Sequence, residues 1–481
     1  MPSFGSPSAR AVFSSFKRCC LVRDQSALTP EKTFTFSFVL FLIYMFFLFL
    51  RPIELFAQWL VAYRPMFVIW VFAFGTSFVH VLRHKDAAAK SVHYLLLFCL
   101  CLAIAFSLLF SGWAGAVTFA LSDFSSSALL FVLISFNARD LKRLRATCWV
   151  ILFCLVTLSA MGIYAYHTGN MAEELVLQQA VDNDRIEVPK ERPPVPALDT
   201  SGAFMWRVRG VGFFNDPNDF AQTLVMSMPM LWWFFRKGRH IRNLLFVLLP
   251  GSVMGYAIAL TNSRGALLGV ASLMFFGVRD ALGTMRTTIL LAVLAVGSMV
   301  ANVTGGRGFD SKESSAEGRI DAWYDGFQML KMSPLFGVGY GNFTEYHELT
   351  AHNSFVLCFA ELGLFGYFVW ISLVVLAFKS VQRVVDNAPM GSDERQSAVI
   401  LRASLVGYLT CAWFLSRTYQ PVLYTILALC SAVWCCSIRN PAYKDNGGLL
   451  SPMLWRKSAF ITMIVSMSAV YGFITMHFMK H

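Results

Sequence analysis

The stretch FTFSFVLFLIYMFFLFL (Phe34–Leu50) is apolar over nearly its whole length and carries no charged side chain. A run of about 17 to 25 such residues is long enough for a helix to cross the hydrocarbon core of a bilayer. The stretch therefore predicts a membrane span. Similar runs recur along the rest of the chain, so the protein is predicted to cross the membrane many times.

The overall composition agrees with this prediction. Of 481 residues, 56% are hydrophobic, 14% are charged and 45 are Phe, whereas a soluble protein of this length needs far more charge to cover its surface. We predict about thirteen spans, and the short one at 266–278 has the character of a broken helix. They lie at roughly 34–50, 66–82, 92–110, 117–136, 146–166, 219–235, 243–262, 266–278, 287–302, 353–378, 400–416, 419–437 and 458–477.

Basic residues between the spans predict the orientation. Six short loops rich in Lys and Arg all fall on one side, and the positive-inside rule makes that side the cytoplasm, with the N-terminus there as well. The formal net charge of +12 then reflects topology, and we do not expect nucleic acid as a partner. The loops carry Arg83/Lys85/Lys90, Arg139/Lys142/Arg143/Arg145, Arg236/Lys237/Arg239/Arg242, Arg279/Arg286, Lys379/Arg383/Arg395/Arg402 and Arg439/Lys444/Arg456/Lys457.

The predicted fold is an all-α polytopic transmembrane helix bundle of about 12–13 spans with a large periplasmic loop that contains short helices. In that loop the segment GRIDAWYDGFQML (Gly318–Leu330) has apolar residues at helical spacing, which predicts a helix lying on the membrane surface. Gly337, Gly339 and Gly341 then predict a tight turn. The divisions are a cytoplasmic tail (1–33), transmembrane helices (34–167), a periplasmic loop (168–218), central transmembrane helices (219–302), the large periplasmic loop (303–352) and C-terminal transmembrane helices (353–481).

Three outer segments stand where the chain re-enters the membrane, and two of them hold an arginine, an exception to the positive-inside rule. They are RGVGFFNDPNDFA (Arg209–Ala221), TNSRGALLG (Thr261–Gly269) and HNSF (His352–Phe355). Each segment predicts the N-terminus of a helix that runs into the membrane. In the first segment Asp216 is the expected N-cap and Pro217 the first helical residue, and residues 262–263 and 353–354 are also of types that cap helices. Positive helix ends that converge with Arg209, Arg264 and a histidine would form a site for a phosphate or pyrophosphate.

Simpler roles compete with this hypothesis. Arg209 and Arg207 could bind lipid head groups or pair with a loop acid, and Arg264 could be an interfacial side chain that extends to the head groups. His352 could be a satisfied interface residue, with His347 as the competitor for a histidine role. The remaining alternatives are an Arg319 pair with Asp321 or Glu317 and, for the carboxylate of Glu361 within a span, a structural hydrogen bond to a neighbouring helix.

The three outer segments resemble the O-antigen ligase/O-antigen polymerase family of bacterial envelope proteins. The resemblance covers roughly residues 205–380 and is most specific in the block GRIDAW…SPLFGVGYGNF…HNSFVLCFAELGLFGYF, with a weaker similarity of YMFFLFLRPIE (Tyr44–Glu54) to a ligase-like branch. The sequence departs from the family at NDPND (215–219), where many members have a glycine before the turn.

The resemblance implies a GT-C-like glycosyltransferase of the inner membrane. Its donor would be a glycan on undecaprenyl pyrophosphate, used at the periplasmic face. Its acceptor would be a lipid or a glycan, and the protein would also contact membrane lipids. Arg209 and Arg264 would hold the pyrophosphate with help from Arg319, and His352 would be the general base or would orient the acceptor. Further substrate-binding candidates are Asn353, Arg207, Asn218 and Asp219.

Physical chemistry fits these roles. A histidine is the usual base for a hydroxyl at neutral pH, and arginines with a helix N-terminus would keep His352 neutral. The sequence has no metal-ligand spacing of the CxxC or HExxH kind and no Asp-x-Asp pair at a suitable outer position, so we predict neither a metal nor a cofactor. A ligase-like enzyme is favoured over a polymerase or a protein O-oligosaccharyltransferase. A lipid-linked glycan transporter and a non-catalytic scaffold are the alternatives outside this class.

Overall fold

The computed structural model describes residues 35–84, 92–180, 204–282, 314–443, 447–450 and 453–479. These residues are almost all helical, which confirms the all-α fold. The N-terminal tail, the predicted span at 287–302 and the charged stretch 182–196 lie outside the described residues. The longer helices are α1 (Phe36–Leu50), α2 (Pro65–His84), α3 (Val92–Phe110), α4 (Val117–Asn137), α5 (Leu141–Thr168), α6 (Pro217–Ser227), α7 (Leu249–Leu260), α8 (Arg264–Leu282), α9 (Ser314–Met332), α10 (Ser354–Asn387), α11 (Asp393–Ala412), α12 (Pro421–Arg439) and α13 (Trp455–Phe478).

Each predicted span within the described residues contains a helix, and eight helices there are long and apolar enough to cross a membrane. The protein is therefore a multi-pass membrane protein. Two further apolar helices, Phe36–Leu50 and Arg264–Phe276, are shorter. The expectation of a broken helix at 266–278 is wrong, because α8 continues through these residues. The predicted span at 219–235 is divided, because α6 gives way to a 3-10 helix at Met228–Phe234 that has a proline in its first turn.

Helix α10 forms the centre of the bundle and packs against α3, α9, α11, α12 and α13. Most of its side chains are buried, as a helix that is apolar on all faces requires. Its regular geometry is interrupted at Gly363, whose φ of 63° and ψ of −170° are not helical. This interruption provides a place for a loop to dock onto a membrane helix.

Three of the loops assigned to the cytoplasm contact one another. Arg145 pairs with Asp393 at 3.0 Å, and the Asn440 amide donates to Glu394 at 2.8 Å. The Arg439 guanidinium also donates to the carbonyl of Arg139 at 3.4 Å. These basic loops therefore share one end of the bundle.

The two segments assigned to the periplasm contain local structure of their own. Strands β1 (Val176–Ala180) and β2 (Phe204–Val208) form an antiparallel pair, which the sequence did not predict. The predicted helix at 318–330 is part of α9. Its apolar face packs on α10 and α13, with the Phe327 ring 4.9 Å from Phe359 and 5.9 Å from Tyr471. Those contacts take up the face that was expected to lie on the membrane surface.

Candidate functional site

Residues 413–420, between α11 and α12, bring the N-termini of three helices together. We call them the connecting segment. Its polar groups bond to the first turns of α6 and α10, and its Phe414 lies against the first turn of α8. The three re-entry points predicted from the sequence are therefore neighbours at one end of the bundle.

The first turn of α6 is built as predicted. Asp216 is the N-cap and accepts a hydrogen bond from the Asn218 N–H at 2.7 Å, and Pro217 is the first helical residue. The side chain of Arg417 donates through Nε to Asp219 and through Nη2 to Asp216 at 3.3 Å. Both carboxylates at this helix end are thus bound by one arginine of the connecting segment.

Helix α10 also begins with the predicted cap. The side-chain oxygen of Asn353 accepts from the N–H groups of Phe355 at 2.8 Å and Val356 at 3.2 Å. The next residue, Ser354, is fully buried and is held by the connecting segment, because the Arg417 N–H donates to its Oγ at 2.9 Å and Thr418 Oγ1 donates to its carbonyl at 2.7 Å. The first turns of α6 and α10 are therefore joined through Arg417.

His352 has an unusual backbone. Its φ of 47° lies in the left-handed region, which residues with a Cβ rarely adopt. The neighbouring residues hold this conformation: Trp323 donates through Nε1 to the Ala351 carbonyl at 3.0 Å, and the Thr350 hydroxyl bonds to that of Ser416. Backbone strain that is maintained from both sides is a feature of functional sites.

Helix α8 starts in a similar way. Asn262 has a φ of 50°, and Ser263 accepts from the N–H of Ala266 at 3.4 Å, so Arg264 is the first residue of a capped helix. A Cβ on Gly265 would lie 3.3 Å from Phe414 Cβ. Arg264 is thus next to a residue in close contact with the connecting segment.

The two arginines of the first outer loop have different surroundings. Arg207 is 5% exposed and donates through Nε to the Thr261 carbonyl at 2.7 Å and through Nη2 to Asn218 Oδ1 at 2.9 Å. Arg209 donates through Nη2 to the carbonyl of Glu173 at 2.8 Å. Arg207 therefore joins α6 to the turn between α7 and α8, and this pairing accounts for its burial without a substrate.

The glycines of the second outer loop let it dock onto the interruption in α10. The N–H groups of Val338 and Gly339 donate to the carbonyls of Ala360 and Glu361, each at 3.0 Å. Gly337, Gly339 and Gly341 have φ values of 75°, 109° and 78°, which glycine adopts without steric cost. The three glycines thus allow the backbone of this loop to hydrogen-bond to α10.

The Glu361 side chain completes this docking. It is 2% exposed and accepts from the Tyr419 hydroxyl at 2.9 Å and from the Phe343 N–H at 3.4 Å. The expected structural hydrogen bond is confirmed, although its partners lie in the connecting segment and at the start of the four-residue helix Phe343–Tyr346, not in a neighbouring membrane helix. The Tyr419 ring also lies 4.5 Å from the tilted ring of Tyr340, whose hydroxyl donates to Asp123 at 2.6 Å. The connecting segment and the loop at 333–343, which we call the glycine loop, are therefore held to the same carboxylate.

The two remaining candidates lie on and beside α9. Arg319 is one turn before Trp323, on the same side of the helix, and so near the residue that bonds to Ala351. His347, the competing histidine, has a partner of its own: its Nδ1 lies 2.8 Å from Asp325 Oδ2.

Residues 249–371 match the family model described as O-antigen ligase. These residues therefore form an O-antigen ligase family domain, which confirms the predicted resemblance over this part of the chain. A comparison with curated proteins gave no match. The matched part of the chain contains Arg264, Arg319, His352 and Asn353, and it includes the glycine loop with the carboxylate on which that loop docks.

The remaining site candidates lie outside the matched residues; they are Arg207, Arg209, Asn218 and Asp219. Sequence reasoning did not single out Arg417, which also lies outside. The signal that could have found it is the one used for Arg264, since the predicted topology puts Arg417 in an outer loop where basic residues are exceptions.

Electrostatics at Arg417 agree with its contacts. Burial lowers the pKa of the guanidinium, but the nearby carboxylates of Asp219 and Asp216 outweigh burial, so the pKa is raised. Arg417 therefore carries a permanent positive charge between two acids. With Arg264 and His352 at adjoining helix ends, the arrangement can hold a polyanion beside an imidazole.

Proposed function

We propose that this protein transfers a glycan from an undecaprenyl-pyrophosphate carrier to an acceptor hydroxyl at the periplasmic face of the bacterial inner membrane. The match of residues 249–371 to the O-antigen ligase family model supports the reaction class. The observation that carries the proposal is the meeting of three helix N-termini around the connecting segment, with Arg264 and His352 at two of them.

In the proposed reaction, the acceptor oxygen attacks the anomeric carbon of the carried glycan. A new carbon–oxygen bond forms, the bond from the anomeric carbon to the phosphate oxygen breaks, and undecaprenyl pyrophosphate leaves with that electron pair. His352 takes the proton of the acceptor hydroxyl. Arg264, Arg209 and Arg319 stabilise the negative charge that grows on the leaving group.

The caps refine which groups would contact the substrate. Asp216 and Asn353 already accept from the first N–H groups of α6 and α10, so these amides are satisfied within the protein. We propose that the arginine side chains, more than the helix N–H groups, bind the pyrophosphate. Asn353, Arg207, Asn218 and Asp219 each make at least one side-chain hydrogen bond to neighbouring protein atoms, and they would then hold the site in shape.

The membrane setting suits a donor with a lipid tail. Such a donor remains in the bilayer while its pyrophosphate lies at the surface, next to helix ends that meet the head-group region. Two observations support this setting: three of the basic loops contact one another at one end of the bundle, and the predicted topology assigns the connecting segment to an outer loop. Among acceptors we favour lipid A core, with a second lipid-linked glycan or a protein side chain as the competing possibilities.

Reconstitution tests the proposal. Protein in liposomes that contain undecaprenyl-pyrophosphate glycan is mixed with each acceptor in turn, and the product is measured. We expect transfer by the wild type, and we expect His352→Ala and Arg264→Ala to lower the rate by about 10²-fold or more.

Arg402→Gln is the matched control. Arg402 donates to Gln382 Oε1 at 2.8 Å, away from the connecting segment, so this variant also loses one arginine hydrogen bond. We expect it to transfer at the wild-type rate. Wild-type rates in both site variants would overturn the mechanism, and movement of intact donor across the bilayer without transfer would indicate a transporter.

A further inference from the structure

The proposed function gives Arg417 no part in the chemistry, yet Arg417 bonds to the first turns of both α6 and α10. Its N–H donates to Ser354 Oγ at 2.9 Å. Its Nε bonds to Asp219, and its Nη2 lies 3.3 Å from Asp216 Oδ2. A single residue thus connects the first turns of two helices by its backbone and its side chain.

The two carboxylates create a problem for an anion site. Asp216 is required as the cap of α6, and Asp219 follows in the same turn with a side chain that is 11% exposed. Both favour the positive helix end, but both repel a phosphate that approaches it. Counting unit charges, Asp216, Asp219 and Arg417 together carry a net charge of −1, and without Arg417 they would carry −2.

We infer that Arg417 is a positioning residue, which fixes α6 to α10 and cancels one carboxylate charge so that a pyrophosphate group can bind beside Arg264 and His352. This inference rests on the proposed function. An arginine suits the task because its planar guanidinium bonds to two separate carboxylates through Nε and Nη2, whereas a lysine offers one ammonium group.

Charge-matched variants test the inference. The probe is inorganic pyrophosphate, and its binding to protein in nanodiscs is measured by calorimetry alongside the thermal unfolding midpoint. Arg417→Gln should weaken binding at least tenfold, because two unit charges about 12 Å apart at an effective dielectric constant near 20 interact by about a factor of ten and pyrophosphate carries more than one negative charge. Arg417→Gln combined with Asp219→Asn restores the net charge to −1, so it should recover most of the affinity.

Two further variants separate the effect of net charge from that of the guanidinium geometry. Asp219→Asn alone gives a net charge of zero and should bind pyrophosphate at least as tightly as the wild type, whereas a direct role of Asp219 in binding this anion would weaken it. Arg417→Lys keeps the charge but not the two-carboxylate geometry, so it should retain affinity for pyrophosphate and transfer glycan more slowly. Arg402→Gln should match the wild type in both measurements.

The outcomes are distinct. Unchanged pyrophosphate affinity in Arg417→Gln, or no recovery in the double variant at a wild-type unfolding midpoint, would overturn the inference. If Arg417→Gln does not fold, the comparison of Asp219→Asn and Arg417→Lys with the wild type decides, since weaker binding in either would contradict the charge argument. A wild type that binds pyrophosphate but transfers no glycan would refute the proposed function and leave the role of Arg417 in anion binding intact.

Discussion

Replacing Gly337 by alanine should separate the glycine loop from α10. The new Cβ would lie 2.6 Å from the Gly363 N and closer still to the Glu361 carbonyl, and both are backbone atoms that cannot turn away. The loop makes backbone hydrogen bonds to α10 on both sides of Gly337, and the two that follow it, donated by Val338 and Gly339, would be lost and are worth about 1 kcal/mol each. The positive φ of 75° costs a non-glycine residue about 1–2 kcal/mol more. We expect a loss of about 3–4 kcal/mol of unfolding free energy.

Gly341→Ala is the matched control for this variant. Gly341 is in the same loop with a φ of 78°, but a Cβ there would meet nothing within 4 Å. It should therefore lose about 1–2 kcal/mol, from the backbone conformation alone. Thermal unfolding of detergent-purified protein, followed by tryptophan fluorescence, gives both midpoints. Equal midpoints for the two variants would refute the docking argument, because they differ in the contact with α10.

Three other predictions concern single side chains. Glu361→Ala leaves the buried Tyr419 hydroxyl without its acceptor, so the unfolding free energy should fall by about 2–4 kcal/mol. Adding Tyr419→Phe removes the unsatisfied hydroxyl and should restore part of this loss. An unfolding midpoint that does not recover in the double variant would contradict this hydrogen bond. His352→Gly removes the backbone strain together with the ring, so the protein should gain about 1 kcal/mol of stability while transfer is lost, and a lower midpoint would argue against strain. His347→Gln should keep most of the transfer activity; a loss as large as that of His352→Gln would make His347 the better candidate for the base.

Local patterns account for what could be predicted. Apolar runs identify helices because backbone hydrogen bonds must be satisfied within each span, and the capped starts at Asp216 and Asn353 follow from side chains that bond to N–H groups two or three residues later. Two features were not predicted: the division of the span at 219–235 into α6 and a 3-10 helix, and the strand pair. A proline in an apolar run permits either a kinked span or a break, and neighbouring helices decide between them.

In the candidate site, too, local sequence patterns predict some features and helix packing decides the others. The sequence marked Arg264 and His352 through their place at helix starts, but it could not show which arginines bond within the protein. Arg207 is largely buried against Thr261 and Asn218, and this pairing depends on how α6, α7 and the strand pair pack together.

The sequence by itself determined most of the helices, the capped starts of α6 and α10 and the shared end of three basic loops, because hydropathy, capping and loop charge act over a few residues. Tertiary structure alone decided the role of the connecting segment. Arg417 meets Asp219 and Asp216 across 198 and 201 residues of chain. Contacts over such separations arise when helices pack, and no local pattern encodes them.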